Sequence, residues 1–127
     1  MPKTYYLSTS LLNHITNTTT YTPPSKLYVG LFTSPPSQSG GGTEVSGGSY
    51  TRVEVSFGSA TNGVITNSAK IEFPSATADW GTIVAVGVFD DSTGGNLLSY
   101  DYLSQSRTIY SGDSVYFNAG ELSWTEG

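Results

Sequence analysis

The strongest hydrophobic run in the chain is residues 83–90, with the sequence IVAVGVFD. Read with a period of two, it places Ile83, Ala85, Gly87 and Phe89 on one face and Val84, Val86 and Val88 on the other. Apolar residues on both faces predict a strand that is buried on both sides. The short length and the β-branched residues favour a strand over a helix. The turn-forming sequence DDSTGG at residues 90–95 predicts where this strand ends.

Two further stretches predict strands of different kinds. Residues 26–33 carry Leu27, Val29 and Leu31 on one face and Tyr28, Gly30 and Phe32 on the other. A second doubly buried strand is therefore expected here. Residues 50–57 alternate instead, with Val53, Val55 and Phe57 inward and Arg52, Glu54 and Ser56 outward. This alternation predicts a strand with one solvated face.

Shorter segments with strand character are residues 64–65, 69–73, 96–103, 107–110, 114–118 and 121–125. Asn62-Gly63 predicts a tight hairpin turn, and Gln105-Ser106 predicts a break between two strands. Residues 114–125 are expected to form a final hairpin that turns at Ala119-Gly120. With about eight strands at this spacing, the chain is predicted to be an all-β antiparallel sandwich, similar to a jelly roll.

The start of the chain has a helical pattern. Ser8-Thr9-Ser10 is expected to cap a short helix whose apolar stripe holds Leu11, Leu12 and Ile15. Asn17 and the threonines after it propagate helices poorly and are expected to end it. One or two helical turns are not stable alone, so this segment must dock on the body or on a neighbouring subunit.

The prolines at positions 23 and 24 stiffen the chain after this helix. We therefore expect an N-terminal helical arm at residues 1–20 and a β-sandwich domain at residues 21–127. A chain of 127 residues is long enough for one domain with its own core.

Composition excludes several classes of function. Charged residues make up 12% of the chain, and ten carboxylates against five lysines and arginines give a net charge of −5. So acidic a chain is not expected to bind nucleic acid or an anionic membrane through charge. No apolar run approaches the ~20 residues of a membrane span. The absence of cysteine excludes disulfides and thiolate metal sites.

Residues 34–49 form a long loop rich in glycine and proline, and loops of this length are usually functional or disordered. Glu44 and Arg52 flank its SGGSY sequence, and we expect them to pair and anchor the loop. An exposed pair of this kind contributes only ~0.2–1 kcal/mol, so its role would be positional. Glu44→Ala is then expected to raise protease sensitivity in the loop with little effect on stability.

The residues that could carry catalysis do not form a catalytic pattern. His14 is the only histidine, and no nucleophile or orienting carboxylate lies near it in sequence. Residues 90–94 lack the spacing of a calcium loop and are predicted to be a turn. Glu54 and Glu72 could form a glycosidase pair only in a cleft, whereas Lys70 and Arg52 are placed to pair with them. We predict no enzyme activity, no cofactor and no metal.

Aromatic residues are more numerous than a small core needs, and tyrosine and tryptophan are enriched at interfaces. The candidate partner-binding residues are Tyr5, Tyr6, Leu7, Leu11, Leu12, Ile15, Tyr100, Tyr102 and Trp124. The alternative is that the aromatic residues pack in the core, with some exposed singly.

Four stretches together resemble a known family. They are KLYVGLFTSPP, GGGTEVSGGSYTR, FPSATADWGTIVAVGVFDDSTGGNLL and SGDSVYFNAGELSW. In this order, after a short N-terminal helix, they are similar to small structural proteins of tailed-phage virions, often labelled tail fibre proteins. The resemblance extends from Tyr5 to Trp124, and it is weaker in the first segment.

The resemblance implies a structural accessory protein of the virion, assembled in the cytoplasm of the host bacterium. The first expectation is a capsid cement or decoration subunit that stabilises the head. The alternatives are a tail fibre or baseplate component and a carbohydrate-binding module for host adhesion. Other virion subunits, such as the major capsid protein or tail proteins, are the expected partners, and a homo-oligomer is expected.

Overall fold

The structure is a computed structural model that describes residues 1–126; Gly127, the last residue of the predicted sandwich domain, lies outside them. Within the described residues there are one helix and nine strands. They are α1 (Tyr5–Ile15), β1 (Leu27–Ser34), β2 (Thr43–Glu44), β3 (Val53–Val55), β4 (Val64–Thr66), β5 (Ile71–Glu72), β6 (Gly81–Phe89), β7 (Leu97–Ile109), β8 (Tyr116–Phe117) and β9 (Ser123–Thr125).

The main sheet has five strands and is antiparallel throughout. Its order is β2-β1-β6-β7, and β3 pairs with the other half of the outer edge of β1. Two small sheets, β4-β9 and β5-β8, form the opposite layer. One hydrophobic core joins the layers, because Leu31 and Val88 of the main sheet belong to the same cluster as Ile71 and Val115. The predicted all-β antiparallel fold with a short N-terminal helix is confirmed.

Strand β6 is the doubly buried central strand that its sequence predicts, between β1 and β7. The strict alternation of faces that the sequence predicts for residues 83–89 is wrong at one point. Ile83 pairs with Arg107 and Ala85 pairs with Tyr102, so the four residues 103–106 of β7 stand opposite Val84 alone. At this bulge, the side chains of β6 before and after Val84 exchange the faces that a regular alternation would give them. As a result Ile83 packs in the main core with Val86 and Val88, whereas Ala85 packs on the other face.

The outer face of the main sheet carries a smaller apolar cluster. Phe32 and Phe89 stack with ring centroids 5.9 Å apart, over Ala85. Gly87 leaves the room for this arrangement, because a Cβ there would lie 2.9 Å from the Phe32 ring and 2.6 Å from Leu97.

Strand β7 replaces the two strands that were predicted for residues 96–110. The expected break at Gln105-Ser106 does not end the strand; it falls within the bulge opposite Val84. The sequence signal therefore marked an interruption of the ladder and not a turn.

The predicted final hairpin is wrong. Strand β8 pairs with β5, and β9 pairs with β4, so the two segments belong to different sheets. The side chain of Asn67, which is 2% exposed, bridges these sheets. Its Nδ2 donates to the carbonyls of Ala69 (2.8 Å) and Asn118 (3.0 Å), and its Oδ1 accepts from the Leu122 amide (2.9 Å). The Asn62-Gly63 turn is present, with both residues at positive φ and a bridge from Thr61 to Val64.

The helix begins earlier than predicted. Thr4 is its N-cap, and Ser8-Thr9-Ser10 lies inside the first turns. The predicted end is confirmed, since Asn17 adopts φ 60°. The amide of Asn17 donates to the carbonyl of His14 and that of Thr18 donates to the carbonyl of Asn13, which satisfies the last turn.

We expect Asn67→Ala to lower the free energy of unfolding by about 2 kcal/mol, because the Leu122 amide and the Ala69 carbonyl lose this partner, whereas the Asn118 carbonyl keeps the Glu121 amide. Denaturant unfolding would measure the effect. The matched control is Ser68→Ala, which removes only an exposed hydrogen bond to the Ser56 carbonyl. Equal stability of the two variants would show that Asn67 does not hold the small sheets together.

Candidate assembly surface

Residues 2–4 are bonded to the outer edge of β7. The Thr4 amide donates to the carbonyl of Leu98 at 2.9 Å, and the Tyr100 amide donates to the carbonyl of Pro2 at 3.2 Å. The Ser99 hydroxyl also donates to Pro2, at 2.9 Å. Thr4 and Ser99 are buried. The boundary predicted at residue 20 stays a prediction, but residues 2–4 extend the main sheet.

Several contacts fix the start of α1. The Thr4 hydroxyl donates to the carbonyl of Leu97 at 2.7 Å and accepts from the amide of Leu7. The Tyr5 amide donates to the carbonyl of Gln38 at 2.7 Å. Because these contacts involve both β7 and the glycine-rich loop, the helix has a defined direction relative to the sheet.

The solvent side of α1 carries large apolar side chains. Tyr5 is 58% exposed, Leu12 63% and Ile15 78%. Their spacing of seven and three residues places them on one face of the helix. Tyr6 is also exposed.

A tyrosine of β7 adds to this group. Tyr102 is exposed and packs edge-on against Tyr100, with ring centroids 6.3 Å apart. Burial raises the pKa of Tyr100, and the nearby phenols of Tyr102 and Tyr5 raise it further. We call the exposed residues Tyr5, Tyr6, Leu12, Ile15 and Tyr102 the N-terminal surface.

The other predicted partner-binding residues lie elsewhere. Leu7 and Tyr100 are buried within the domain, so they support the surface from below. Leu11 and Trp124 are half-buried. The ring of Trp124, in β9, packs edge-on against Phe57 at 6.0 Å.

Glu44 and Arg52, the residues of the predicted loop anchor, lie in contact, and their pair is more buried than an ordinary surface pair. Arg52 Nε lies 2.9 Å from Glu44 Oε2, and its Nη2 lies 2.8 Å from Oε1. Its Nη1 donates to the carbonyls of Asp91 (2.9 Å) and Gly94 (2.8 Å). The guanidinium is 3.4 Å from the centroid of the Phe89 ring, and the Arg52 side chain is only 9% exposed.

Tyr50 is part of the same anchor, and the sequence reasoning missed it. Its hydroxyl donates to Glu44 Oε2 at 2.6 Å and accepts from the Leu31 amide at 2.9 Å. Burial and the hydrogen bond to Glu44 raise its pKa above the ordinary value. Its ring packs against Phe73 and Trp80. No local signal identifies Tyr50, because residues 50–52 precede β3 and its contact with Glu44 is a tertiary one.

The remaining charged candidates have local partners. Glu54 pairs with Lys26, and Glu72 pairs with Lys70. His14 Nδ1 accepts from the amide of Tyr21 at 3.2 Å, which ties the end of the helix to the connection after it. In the part of the chain that the structure describes, no three His, Asp or Glu residues are grouped to hold a metal ion. No helix among residues 1–126 is long and apolar enough to cross a membrane.

One family model matches residues 2–125, from the first sheet-bonded residue to the end of β9, and it is described as podophage GP4 fiber I protein gp80. The chain belongs to this gp80 family. The resemblance to structural proteins of tailed-phage virions is thus confirmed. No curated protein matches the chain. The gp80 family is a fibre-type structural family, so the protein is a structural component of a tailed-phage virion.

The buried anchor revises the effect expected from the sequence for Glu44→Ala. We now expect the free energy of unfolding to fall by about 3 kcal/mol, because the mostly buried Arg52 cation loses its counter-ion. Glu54→Ala is the control; it removes an exposed pair to Lys26 and should cost less than about 1 kcal/mol. Equal losses in chemical denaturation would contradict the structural role of the anchor. Faster proteolysis of residues 34–49 in Glu44→Ala remains a prediction.

The raised pKa of Tyr50 predicts that the stability of the protein depends on pH. Its folded pKa lies above the ordinary value of 10.0, so the unfolded chain releases this proton first as the pH rises. Stability is therefore fully present below pH 10 and declines above it. Tyr50→Phe should lower stability at neutral pH and should reduce the slope above pH 10 by up to one proton, about 1.4 kcal/mol per pH unit. The free energy of unfolding, measured by denaturant titration at a series of pH values, checks this. Equal slopes above pH 10 for Tyr50→Phe and the wild type would refute it.

Proposed function

We propose that this gp80-family protein is a subunit of a phage fibre and that the N-terminal surface is its contact with adjacent virion subunits. The observation that supports this is the exposure of large apolar side chains on a helix whose first residues are fixed to the sheet. A rigid backbone under exposed aromatic and aliphatic groups reduces the entropy lost on association.

The chemistry of the surface suits a protein partner. Tyrosine and aliphatic residues bury large areas, and tyrosine keeps a polar group for the rim of the contact. The low charge of the chain, 12% of its residues, means that few ions lose their hydration when subunits pack together.

The description of the family favours a fibre over the capsid cement role that was the first expectation from the sequence. The cement role stays a prediction, and localisation in the virion by cryo-electron microscopy would decide between them. The gp80 family is a structural fibre family and not an enzyme family. This description agrees with the expected lack of catalysis, which stays a prediction. Homo-oligomerisation also stays a prediction.

A carbohydrate-binding role is the second candidate, and one cleft favours it. The cleft has a volume of about 310 Å³ and lies between α1 and residues 19–22. Tyr6, Tyr21 and Asn13 line it together with serine and threonine hydroxyls. Aromatic faces beside hydroxyl and amide groups are suited to sugar rings. Binding of a host-surface glycan that is lost in Tyr6→Ala would support this role.

The assembly role is tested with the double variant Leu12→Ser/Ile15→Ser. Both side chains are exposed, so the fold should be kept. Burying each one at an interface contributes about 1.5–3 kcal/mol, so incorporation into virions should fall at least about tenfold. Quantitative mass spectrometry of purified particles measures it.

The matched control is Tyr110→Ser, which removes an exposed tyrosine outside the N-terminal surface. Deletion of residues 1–20 is a poorer test, because it also removes Thr4 and Leu7, which are buried in the domain. Normal incorporation of the folded double variant would disprove the assembly role of this surface.

A further inference from the structure

The two layers of the sandwich leave an open seam between β7 and β8. Among the described residues, β8 pairs with β5 on one side and with no strand on the other. The outer edge of β7 is bonded to residues 2–4 only near Leu98–Tyr100. Beyond that point the outer edge of β7 has no strand partner in residues 1–126. Such edges present unpaired amide and carbonyl groups to another chain.

An apolar cavity of about 240 Å³ opens in this seam. Its deep wall consists of core side chains that are nearly fully buried, Leu31, Ile83, Ile109 and Val115. Its rim consists of Leu103, Ser104 and Gln105 in the β7 bulge, of Arg107 just after the bulge, and of Tyr116 and Phe117 in β8. The bulge opposite Val84 therefore coincides with access to the core.

Arg107, on the rim, differs from the other cationic residues in its lack of an ion-pair partner within residues 1–126. The other four lysines and arginines each form an ion pair, with Glu126, Glu54, Glu44 and Glu72. Within residues 1–126, Arg107 has neither an ion pair nor a side-chain hydrogen bond. An unpaired guanidinium beside an apolar cavity fits a ligand that carries both an apolar group and a carboxylate.

We propose that this seam binds an extended segment of another virion protein by strand addition along β7. The segment places an aliphatic or aromatic side chain in the cavity and, two residues away on the same face, a carboxylate against Arg107. Main-chain hydrogen bonds to the strand edge supply affinity, and the cavity and Arg107 supply specificity. The proposal rests on the proposed function only in placing the partner in the virion.

A second copy of this chain does not fit the site. Every carboxylate located in a strand already pairs with a cation of its own chain: Glu44 with Arg52, Glu54 with Lys26, Glu72 with Lys70, and Asp101 with the N-terminal amine. Within residues 1–126, a copy therefore has no strand carboxylate to offer Arg107 unless it breaks an ion pair of its own. We assign the carboxylate to a different protein for this reason.

Two capped heptapeptides of alternating threonine and leucine test the chemistry of the seam. One carries aspartate in place of the leucine two residues after its central leucine, and the control peptide carries lysine there. In NMR titrations of the folded protein, the aspartate peptide should give saturable shifts at residues 103–107 and 115–117, with at least fivefold tighter binding than the lysine peptide. Arg107→Gln should abolish this preference, whereas Lys26→Gln, which removes an exposed cation elsewhere, should keep it.

Absence of shifts in the seam at millimolar peptide, or equal binding of the two peptides, would overturn the proposal. The Leu12→Ser/Ile15→Ser variant should bind the aspartate peptide like the wild type, so this result is independent of the N-terminal surface. In assembled virions, a photo-cross-linking residue at Gln105 should capture an acidic, apolar segment of a different polypeptide. Capture of a second copy alone, or of nothing, would also count against it.

Discussion

The arrangement of the sheet and its loops depends on one mostly buried cation. The Arg52 guanidinium directs Nε and Nη2 to Glu44 and Nη1 to the carbonyls of Asp91 and Gly94. A buried charge is costly unless it is paired and hydrogen-bonded, so these partners constrain one another. The glycine-rich loop, the turn after β6 and, through Tyr50, the backbone of β1 meet at this group. A lysine could not replace it, because a point charge lacks the planar fork that serves all these acceptors.

Much of the fold could be predicted from periodicity. Strands β1 and β6 follow from apolar residues on both faces, and Asn17 correctly marks the end of the helix. What periodicity could not give was pairing. The bulge opposite Val84 depends on how β7 meets β6, and the partners of β8 and β9 depend on buried bonds to Asn67. Local turn signals carry no information about such distant contacts.

In the candidate site, too, some features follow from the local sequence and others depend on tertiary contacts. The pairing of Glu44 with Arg52 follows from the sequence, but its burial does not, because the stack on Phe89 is a tertiary contact. The exposed Leu12 and Ile15 were among the candidates, whereas buried Leu7 could not be separated from them by pattern. Thr4 and Ser8-Thr9-Ser10 all have side chains that can cap a helix. The helix starts at Thr4 because its hydroxyl is also bonded to β7, a contact that the local sequence does not reveal.

The bonds between residues 2–4 and β7 also determine when the protein can acquire its final form. Pro2 and Ser99 are 97 positions apart in the chain, so their contact closes one of the longest loops available to it. During synthesis, this edge of the sheet cannot form until residues 98–100 have left the ribosome. The direction of α1 is set by the same bonds, and it therefore becomes fixed late. Nascent chains thus lack a correctly oriented N-terminal helix until most of the sandwich has been made.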